Sequence, residues 1–560
     1  MFYLLVVNNF ISIKRRKNLL VYWILVFLII ALMSAENSYD VIIIGSGIGG
    51  LTCGSLLSKL KNKRVLILER HFKAGGFTHV FKREGKFLWD VGVHYIGDVG
   101  NGSMSDRLFH IITEGKLEWI KMSEPFEKFI YPDFTFDLYG NKELYKEDLI
   151  ERFPGEKSGI EKYFHDIEAM AFWFSRRFTL KALPPVFEKV TSFLNLLGAD
   201  NALIKTKDYL DKNFKDEKLK ALLVSQWGDY GLPPSKSSFV IHSLIANHYL
   251  KGGYYPKGSS ISVASTIKPI LEKAGGEIKL STEVQEIIIQ DGKAIGVKVF
   301  EAKGNEKIES EYYAPEIVSD AGAFTTYNKL IPNSYPISFR NELNAIDPGV
   351  SNVTLYIGFK ENPTKLGFKG ENYWIYNSYD HDKIYENRNM TLEGNPPGCY
   401  LSFPSLKDPK AEAHTAEIIA FVDYEPFNKW KAGEWKNRGE DYMALKEKIT
   451  EGLLNFIEEK FPGFKELIEY KELSTPLSNE YFTAHKNGTI YGIPCTPERF
   501  KMDWLGIRTP VQNLYLTGAD ACSPGIVGSM MGGYATAGSL MGFSGVMGIV
   551  KEASRLREKN

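Results

Sequence analysis

The 560-residue chain has no surplus of charge of either sign, since 68 Lys and Arg stand against 68 Asp and Glu. A protein that holds a polyanion through its phosphates needs a basic excess or stripe, so nucleic acid is not expected as a partner. Cysteine is scarce. The four residues, at positions 53, 399, 495 and 522, include no Cys-x-x-Cys pair, which argues against both a zinc site and a redox dithiol, and no metal is expected. They read as small buried hydrophobes, and no base can be assigned that would activate Cys522 as a nucleophile. Internal repeats are lacking as well. One uncharged run, Leu19 to Met33, stands apart near the N-terminus, preceded by Lys14-Arg15-Arg16-Lys17 and followed by Ser34-Ala35. It is slightly shorter than the roughly 20 residues that span a bilayer, so it suits a secretory signal or a membrane anchor equally. With the basic cluster held in the cytosol, everything after residue 36 is expected in the lumen of the secretory pathway, which points to the endoplasmic reticulum membrane or lumen. Sequons at Asn101, Asn352, Asn389 and Asn487 are compatible with that location.

The remaining length is enough for more than one domain with a sizeable core. Tyr39 opens a β-branched run, Asp40-Val41-Ile42-Ile43-Ile44, suited to a fully buried parallel strand. A glycine turn, a helix from about Gly49 to Leu60 and a second strand from Arg64 to Leu68 complete a βαβ unit. From 101 to 250 the reading is helical and aromatic, broken at Pro154, Pro184-Pro185 and Pro233-Pro234. Ile278 to Phe300 alternates around Asp291-Gly292, a hairpin signal, and Glu316 to Asp320 reads as another buried strand. Two domains therefore interleave: a dinucleotide-binding domain from 39–100, 251–325 and 481–555, and an α+β substrate domain from 101–250 and 326–480, after a leader over 1–36.

Gly45-Ser46-Gly47-Ile48-Gly49-Gly50 satisfies G-x-G-x-x-G where a strand meets a helix. Gly45 permits the tight turn, Gly47 lets backbone approach a pyrophosphate, and Gly50 lets helix and strand pack closely. The phosphates then face unpaired N–H groups at the helix N-terminus. Glu69, at the tip of the second strand and about 20 residues beyond the last glycine, is placed to accept hydrogen bonds from ribose hydroxyls. This is a Rossmann-like α/β fold holding a dinucleotide.

The stretch Glu69-Arg70-His71-Phe72-Lys73-Ala74-Gly75-Gly76 and the closing segment Leu514-Tyr515-Leu516-Thr517-Gly518-Ala519-Asp520 resemble the two ends of the FAD signature in the phytoene desaturase and amine oxidase superfamily. Phe77-Thr78-His79, Trp89 to Gly97, Gly252 to Gly258 and Tyr491 to Phe500 are similar to the retinol saturase and carotenoid isomerase branch. The resemblance runs from about 39 to 545, and Phe77 departs from the small or basic residue that many relatives carry there. It implies FAD, with Gly45, Ser46, Gly47, Ile48, Gly49, Gly50, Glu69, Arg70, Gly75, Gly76, Phe77, Val284, Gly518, Asp520, Gly525, Ile526 and Val527 around it. Asp520 is expected at the ribityl and pyrophosphate region, and the helix beginning near Gly525 at the flavin, with Gly528, Gly532, Gly533 and Ala537 near one face.

The expected activity is saturation of a retinoid C=C bond, with NAD(P)H as a possible electron donor, a hydrophobic retinoid or carotenoid as substrate and a membrane surface as a second partner. His79, His94 and Tyr95 are the candidate proton donors, although a histidine bonded to backbone would serve structure alone. Phe172 to Phe178, aromatic and basic, reads as domain core or as a lipid-facing wall. The alternatives are a carotenoid desaturase or isomerase, an amine oxidase, and a flavin-free prenyl-protein chaperone of the Rab GDP-dissociation inhibitor kind; the intact glycine loop and Gly518-Ala519-Asp520 argue against the last.

Overall fold

A computed structural model describes residues 39–557 apart from 101, 183–198 and 305. The N-terminal basic cluster, the apolar run and the sequon at Asn101 lie outside the described residues. Strand β1 (Val41–Ile44) is buried along its whole length and leads through the glycine turn into helix α1 (Ile48–Lys61). The helix ends where Asn62 turns left-handed, and β2 (Val65–Leu68) follows. Three further strands, β3 (Glu277–Lys279), β4 (Glu316–Ser319) and β5 (Leu514–Leu516), complete a sheet in the order β5-β4-β1-β2-β3, parallel throughout. This is the doubly wound order, and it reverses between β1 and β4, where a crevice opens beyond the carboxyl ends of the strands.

Alternate residues of each strand serve opposite faces. Ile43 and Ile67 pack with α1 and the C-terminal helix α2 (Gly525–Arg557), whereas Ile42, Ile44, Leu66 and Leu68 pack with Ile287 and Val297 of a three-stranded antiparallel sheet. With both faces covered, only apolar side chains fit, which is why the strands read as unbroken apolar runs. The hairpin between Thr282–Gln290 and Lys293–Lys303 turns at Asp291 and Gly292, with φ of 50° and 77°, the double positive φ of a type I′ turn.

The second sheet has seven strands in the order Ile468–Ser474, Ser351–Phe359, His414–Val422, Gly398–Ser402, Asn372–Tyr376, Glu127–Ile130, Thr135–Leu138. Its strands flank the segment that supplies β3 and β4, so the two sheets interleave along the chain. Residues 101–250, expected to be helical, include the strands Trp119–Lys121, Glu127–Ile130 and Thr135–Leu138. Each carries one aromatic residue, and Phe129 and Phe136 stack across the second pair of strands at 6.3 Å. The helix Met104–Thr113 buries Leu108, Phe109, Ile111 and Ile112 with α1 and α2, on the dinucleotide side. Among the described residues no helix is long and apolar enough to cross a membrane.

Candidate active site

A cavity of about 900 Å³ starts at the switch between β1 and β4 and runs to Trp374 and Tyr376 on the second sheet. That is near the top of the range for small-molecule pockets. At one end are Gly45, Ser46, Gly47, Ile48 and Gly49. Gly45 has φ of 97°, which only glycine adopts without strain. Gly75 donates its N–H to Ser46 Oγ at 3.1 Å, and a Cβ on Gly76 would lie 3.0 Å from Gly47 Cα. Two glycine segments thus cross closely, so the cavity is lined at the α1 N-terminus largely by glycine backbone rather than by side chains.

Glu69 lines the same end and is 7% exposed. Its Oε2 accepts from Ser46 N at 2.9 Å and Ser46 Oγ at 2.6 Å, and its Oε1 from His71 N at 2.7 Å. A carboxylate accepts about four hydrogen bonds, so capacity for a hydroxyl remains. Arg70 pairs with Glu283 at 3.1 Å, and Val284 beside it faces the cavity. Phe77, Gly525, Ile526 and Val527 also line it. Gly50 and Gly518 lie behind the wall instead. A Cβ on Gly50 would meet Gly45 O at 2.4 Å, and one on Gly518 would meet Asp320 Oδ1 at 2.2 Å, so both are small in order to pack. The glycine face of α2 has the same purpose, since added Cβ atoms on Gly532 and Gly533 would lie 2.3 Å from Gly518 O and Gly49 O.

Asp520 lines the cavity with its carboxylate already engaged: Oδ1 accepts from Ile493 N at 2.8 Å and Oδ2 from Ala323 N at 2.7 Å. It ties the loops after β4 and before β5 together, with buried Arg499 3.6 Å away. Sequence reasoning missed Asp320, directly after β4. It is partly exposed to the cavity that it lines, accepts from the N–H groups of Gly50 and Gly47, and its carboxyl is pushed up to about 7, chiefly by desolvation, with the charges of Glu69 and Asp520 adding to the effect. An acid at the carboxyl end of a central buried strand was the available signal. Thr517 Oγ1 is buried without a partner and lines the cavity. An orphaned hydroxyl, side-chain-free backbone at a helix N-terminus and a ribose-competent acid together fit a dinucleotide.

The far end is aromatic, with Tyr95, Trp227, Tyr249, Trp374, Tyr376 and Tyr400 on its wall. Phe174 and Phe178 join it from the Lys157–Ala182 helix, Trp173 is 2% exposed in the core, and Phe172 is 70% exposed. The three histidine and tyrosine candidates all line the cavity, in different company. His79 bonds the Gly76 carbonyl through Nδ1, has its ring 4.6 Å from His71, and is held below its ordinary pKa by burial; it belongs to the dinucleotide end. His94 Nδ1 lies 2.7 Å from Oε2 of the fully buried Glu417. Tyr95 donates to Asp229 Oδ2 at 2.7 Å, and burial raises its pKa well above the ordinary value. Asp229, partly exposed to the cavity, and Glu127, fully buried, were not anticipated; an acid on the apolar face of an alternating segment marks Glu127.

All four cysteines are free and buried, with thiols pushed up by burial. No metal-ligand cluster occurs among the described residues. The sequon residue Asn352 is 7% exposed in a strand and donates to Thr354 Oγ1 at 2.8 Å, so the folded chain does not offer it for glycosylation.

Residues 43–112 match the NAD(P)-binding Rossmann-like domain family. Over its length the fold is similar to cyclohexylamine oxidase from Brevibacterium oxydans, at TM-score 0.54 and 14% identity, covering 93% of this chain and 99% of that one. Prolycopene isomerase 1 of an Oncidium hybrid is 26% identical, covering 87% of this chain and 81% of its own length. All-trans-retinol 13,14-reductase of Danio rerio is 34% identical over 530 residues, 90% of this chain and 86% of that protein. With identity at that level over nine-tenths of its length, the chain belongs to the all-trans-retinol 13,14-reductase family of oxidoreductases.

Proposed function

We propose that the protein is an FAD-dependent reductase that saturates a C=C bond of a retinoid, with NAD(P)H as the source of electrons. The observation that carries this reading is one continuous cavity whose two ends differ in chemistry. One end offers backbone N–H groups and Glu69; the other is an aromatic slot with a hydroxyl and acids at its wall. A dinucleotide in the first end and a rigid apolar polyene in the second would meet inside a single water-poor space. Gly45 to Gly49 would hold the pyrophosphate at the α1 N-terminus, Glu69 the adenosine ribose, and Thr517, Asp520 and Gly525 to Val527 the part nearest the flavin ring. Bound flavin, once reduced, supplies the hydride. The protein's residues align the polyene, exclude water and provide a proton at the second carbon.

Incubation of purified protein with all-trans-retinol and a reductant tests this. A product heavier by a pair of hydrogens supports the reading; unchanged mass with altered geometry favours an isomerase, and loss of a pair of hydrogens a desaturase. A colourless preparation that takes up no FAD refutes the cofactor. The basic cluster before the apolar run and exposed Phe172 support residence at the endoplasmic reticulum membrane with the folded part in the lumen. Protease protection of the folded chain in sealed microsomes tests that orientation.

A further inference from the structure

Reducing an alkene needs a proton as well as a hydride, and the aromatic end of the cavity holds a network suited to store one. Tyr95 Oη donates to Asp229 Oδ2 at 2.7 Å. Gln226 Nε2 reaches Glu127 Oε2 at 2.5 Å and Tyr95 Oη at 3.5 Å, and Trp374 Nε1 donates to Glu127 Oε1 at 3.0 Å. Two carboxyl groups therefore share one buried network within a wall formed by Tyr249, Tyr376, Tyr400 and Tyr491. The nearest basic side chains are engaged elsewhere. His94 contacts Glu417, and Lys407 Nζ donates to the His94 carbonyl at 2.8 Å, to Ser402 Oγ at 2.7 Å and to Asn372 Oδ1 at 2.5 Å. Asp90, the other acid nearby, accepts from Ser260 N at 2.8 Å and from Tyr255.

Burial raises both Asp229 and Glu127, and the charge of Asp229 raises Glu127 further. Two carboxylates in one dry network cannot both be ionised cheaply, so the pair keeps a proton near neutrality. Glu127 accepts from Trp374 and Gln226 and does not line the cavity, whereas Asp229 accepts from the Tyr95 hydroxyl through Oδ2 and does line it. Of the two acids, Asp229 is therefore the one that can pass the shared proton to a bound molecule, from Oδ1.

We infer that Asp229 is the proton donor of the reduction, with Glu127 as the second acid of a pair that shares the proton and Tyr95 as the hydroxyl that orients Asp229. The inference rests on the reductase reading. The balance is simple: the alkene receives a hydride from the reduced cofactor at one carbon and the Oδ1 proton of Asp229 at the other. Asp229 is left as a carboxylate, to be reprotonated from solvent after the product leaves. Amides would satisfy the same donors without the cost of buried charge, so a structural role alone does not require two acids here.

The test uses full-length protein loaded with FAD and reduced before all-trans-retinol is added, followed through a single turnover. Asp229→Asn is expected to slow product formation about 100-fold, with FAD content and spectrum unchanged. Glu127→Gln removes the second acid of the pair and its coupling to Asp229, so the fall in rate with rising pH moves to lower pH, an effect that loss of packing would not produce. Independently of turnover, infrared spectra of the native protein at neutral pH should contain a protonated-carboxyl band that Asp229→Asn removes. A native rate in Asp229→Asn, an unmoved pH profile in Glu127→Gln, or an unchanged infrared band would each overturn the inference. If native protein reduces no retinoid, the reductase reading fails instead, and the infrared comparison still decides whether Asp229 holds a proton.

Discussion

Asp320→Asn gives a sharp test of the electrostatics at the glycine loop. In the native fold the carboxyl of Asp320 has its pKa pushed up to about 7 from 3.8, because it is desolvated in the crevice beside Glu69 and Asp520. A shift of that size corresponds to about 4 kcal/mol. The sign follows from proton counts. Below pH 4 the group is protonated in both states; between about 4 and 7 only the folded chain keeps the proton, so stability falls as pH rises; above 7 the loss is complete and constant. Asparagine keeps an oxygen for the N–H groups of Gly47 and Gly50 and has no proton to lose. Any cost of its unpartnered N–H₂ group, about 1–3 kcal/mol, does not depend on pH. The stability of the variant relative to native protein should therefore climb by about 4 kcal/mol from pH 4 to pH 7 and then level off. For a chain of this length the unfolding entropy is about 1.2 kcal/mol/K, so the difference in melting temperature should change by about 3 °C across that window. Tryptophan fluorescence melts of FAD-free protein at half-unit pH steps measure it. A difference that stays flat with pH would mean that Asp320 is ionised throughout, and the account of the switch point would be wrong.

Gly49→Ala should abolish FAD retention and cost about 3 kcal/mol, because its Cβ would lie 2.5 Å from Gly518 Cα, a backbone atom that cannot swing aside; cofactor content after gel filtration reads the first effect and urea melts the second. Glu69→Gln, which halves the acceptor capacity at the ribose end and deprives either Ser46 or His71 of its acceptor, should weaken FAD binding at least 10-fold while lowering the melting temperature of FAD-free protein by about 1–3 °C, the size of one lost buried acceptor in a chain of this length. Titration of FAD into stripped protein checks it, and unchanged affinity would remove Glu69 from the site. Native protein should resist a thiol reagent at pH 8 and react fully in denaturant, because the cysteines are buried and their thiols are raised, to about 11 for Cys495 and about 12 for Cys522. Rapid labelling of one thiol in folded protein would contradict that.

What the sequence discloses about this molecule is whatever the backbone demands locally. The β1 run, the turn at Gly45, the helix after it and the Asp291-Gly292 hairpin each follow from a conformational or burial requirement spanning a few residues, and the structure has each where its residues require. The acids of the site are a different matter. Tyr95 meets Asp229 across 134 residues, and Trp374 meets Glu127 across 247. No spacing rule reaches that far, because the contacts exist only after the interleaved sheets have closed on each other. The segment 119–138 misled for a related reason. Its aromatic residues suit a helix core as well as a strand, and pairing of Glu127–Ile130 with the distant Asn372–Tyr376 decides between them.

One stretch of chain links the two ends of the cavity. Between Glu69 and Asp98 lie the ribose-competent acid, the glycine pair that crosses the first loop, the histidine bound to Gly76, and finally His94 and Tyr95 at the aromatic wall. Its far end is pinned, since Ile96 and Tyr254 exchange backbone hydrogen bonds of 2.9 and 2.7 Å, and Gly97 N donates to His248 Nε2 at 2.7 Å. Gly97 permits that last contact, because a Cβ there would lie 2.1 Å from the His248 carbonyl oxygen. A displacement at this pin would move Tyr95, and with it the orientation of Asp229, while Glu69 and the glycine pair stay anchored through Ser46. Gly97→Ala should accordingly retain FAD and lose single-turnover rate. A variant that loses both together would show instead that the stretch moves as one body.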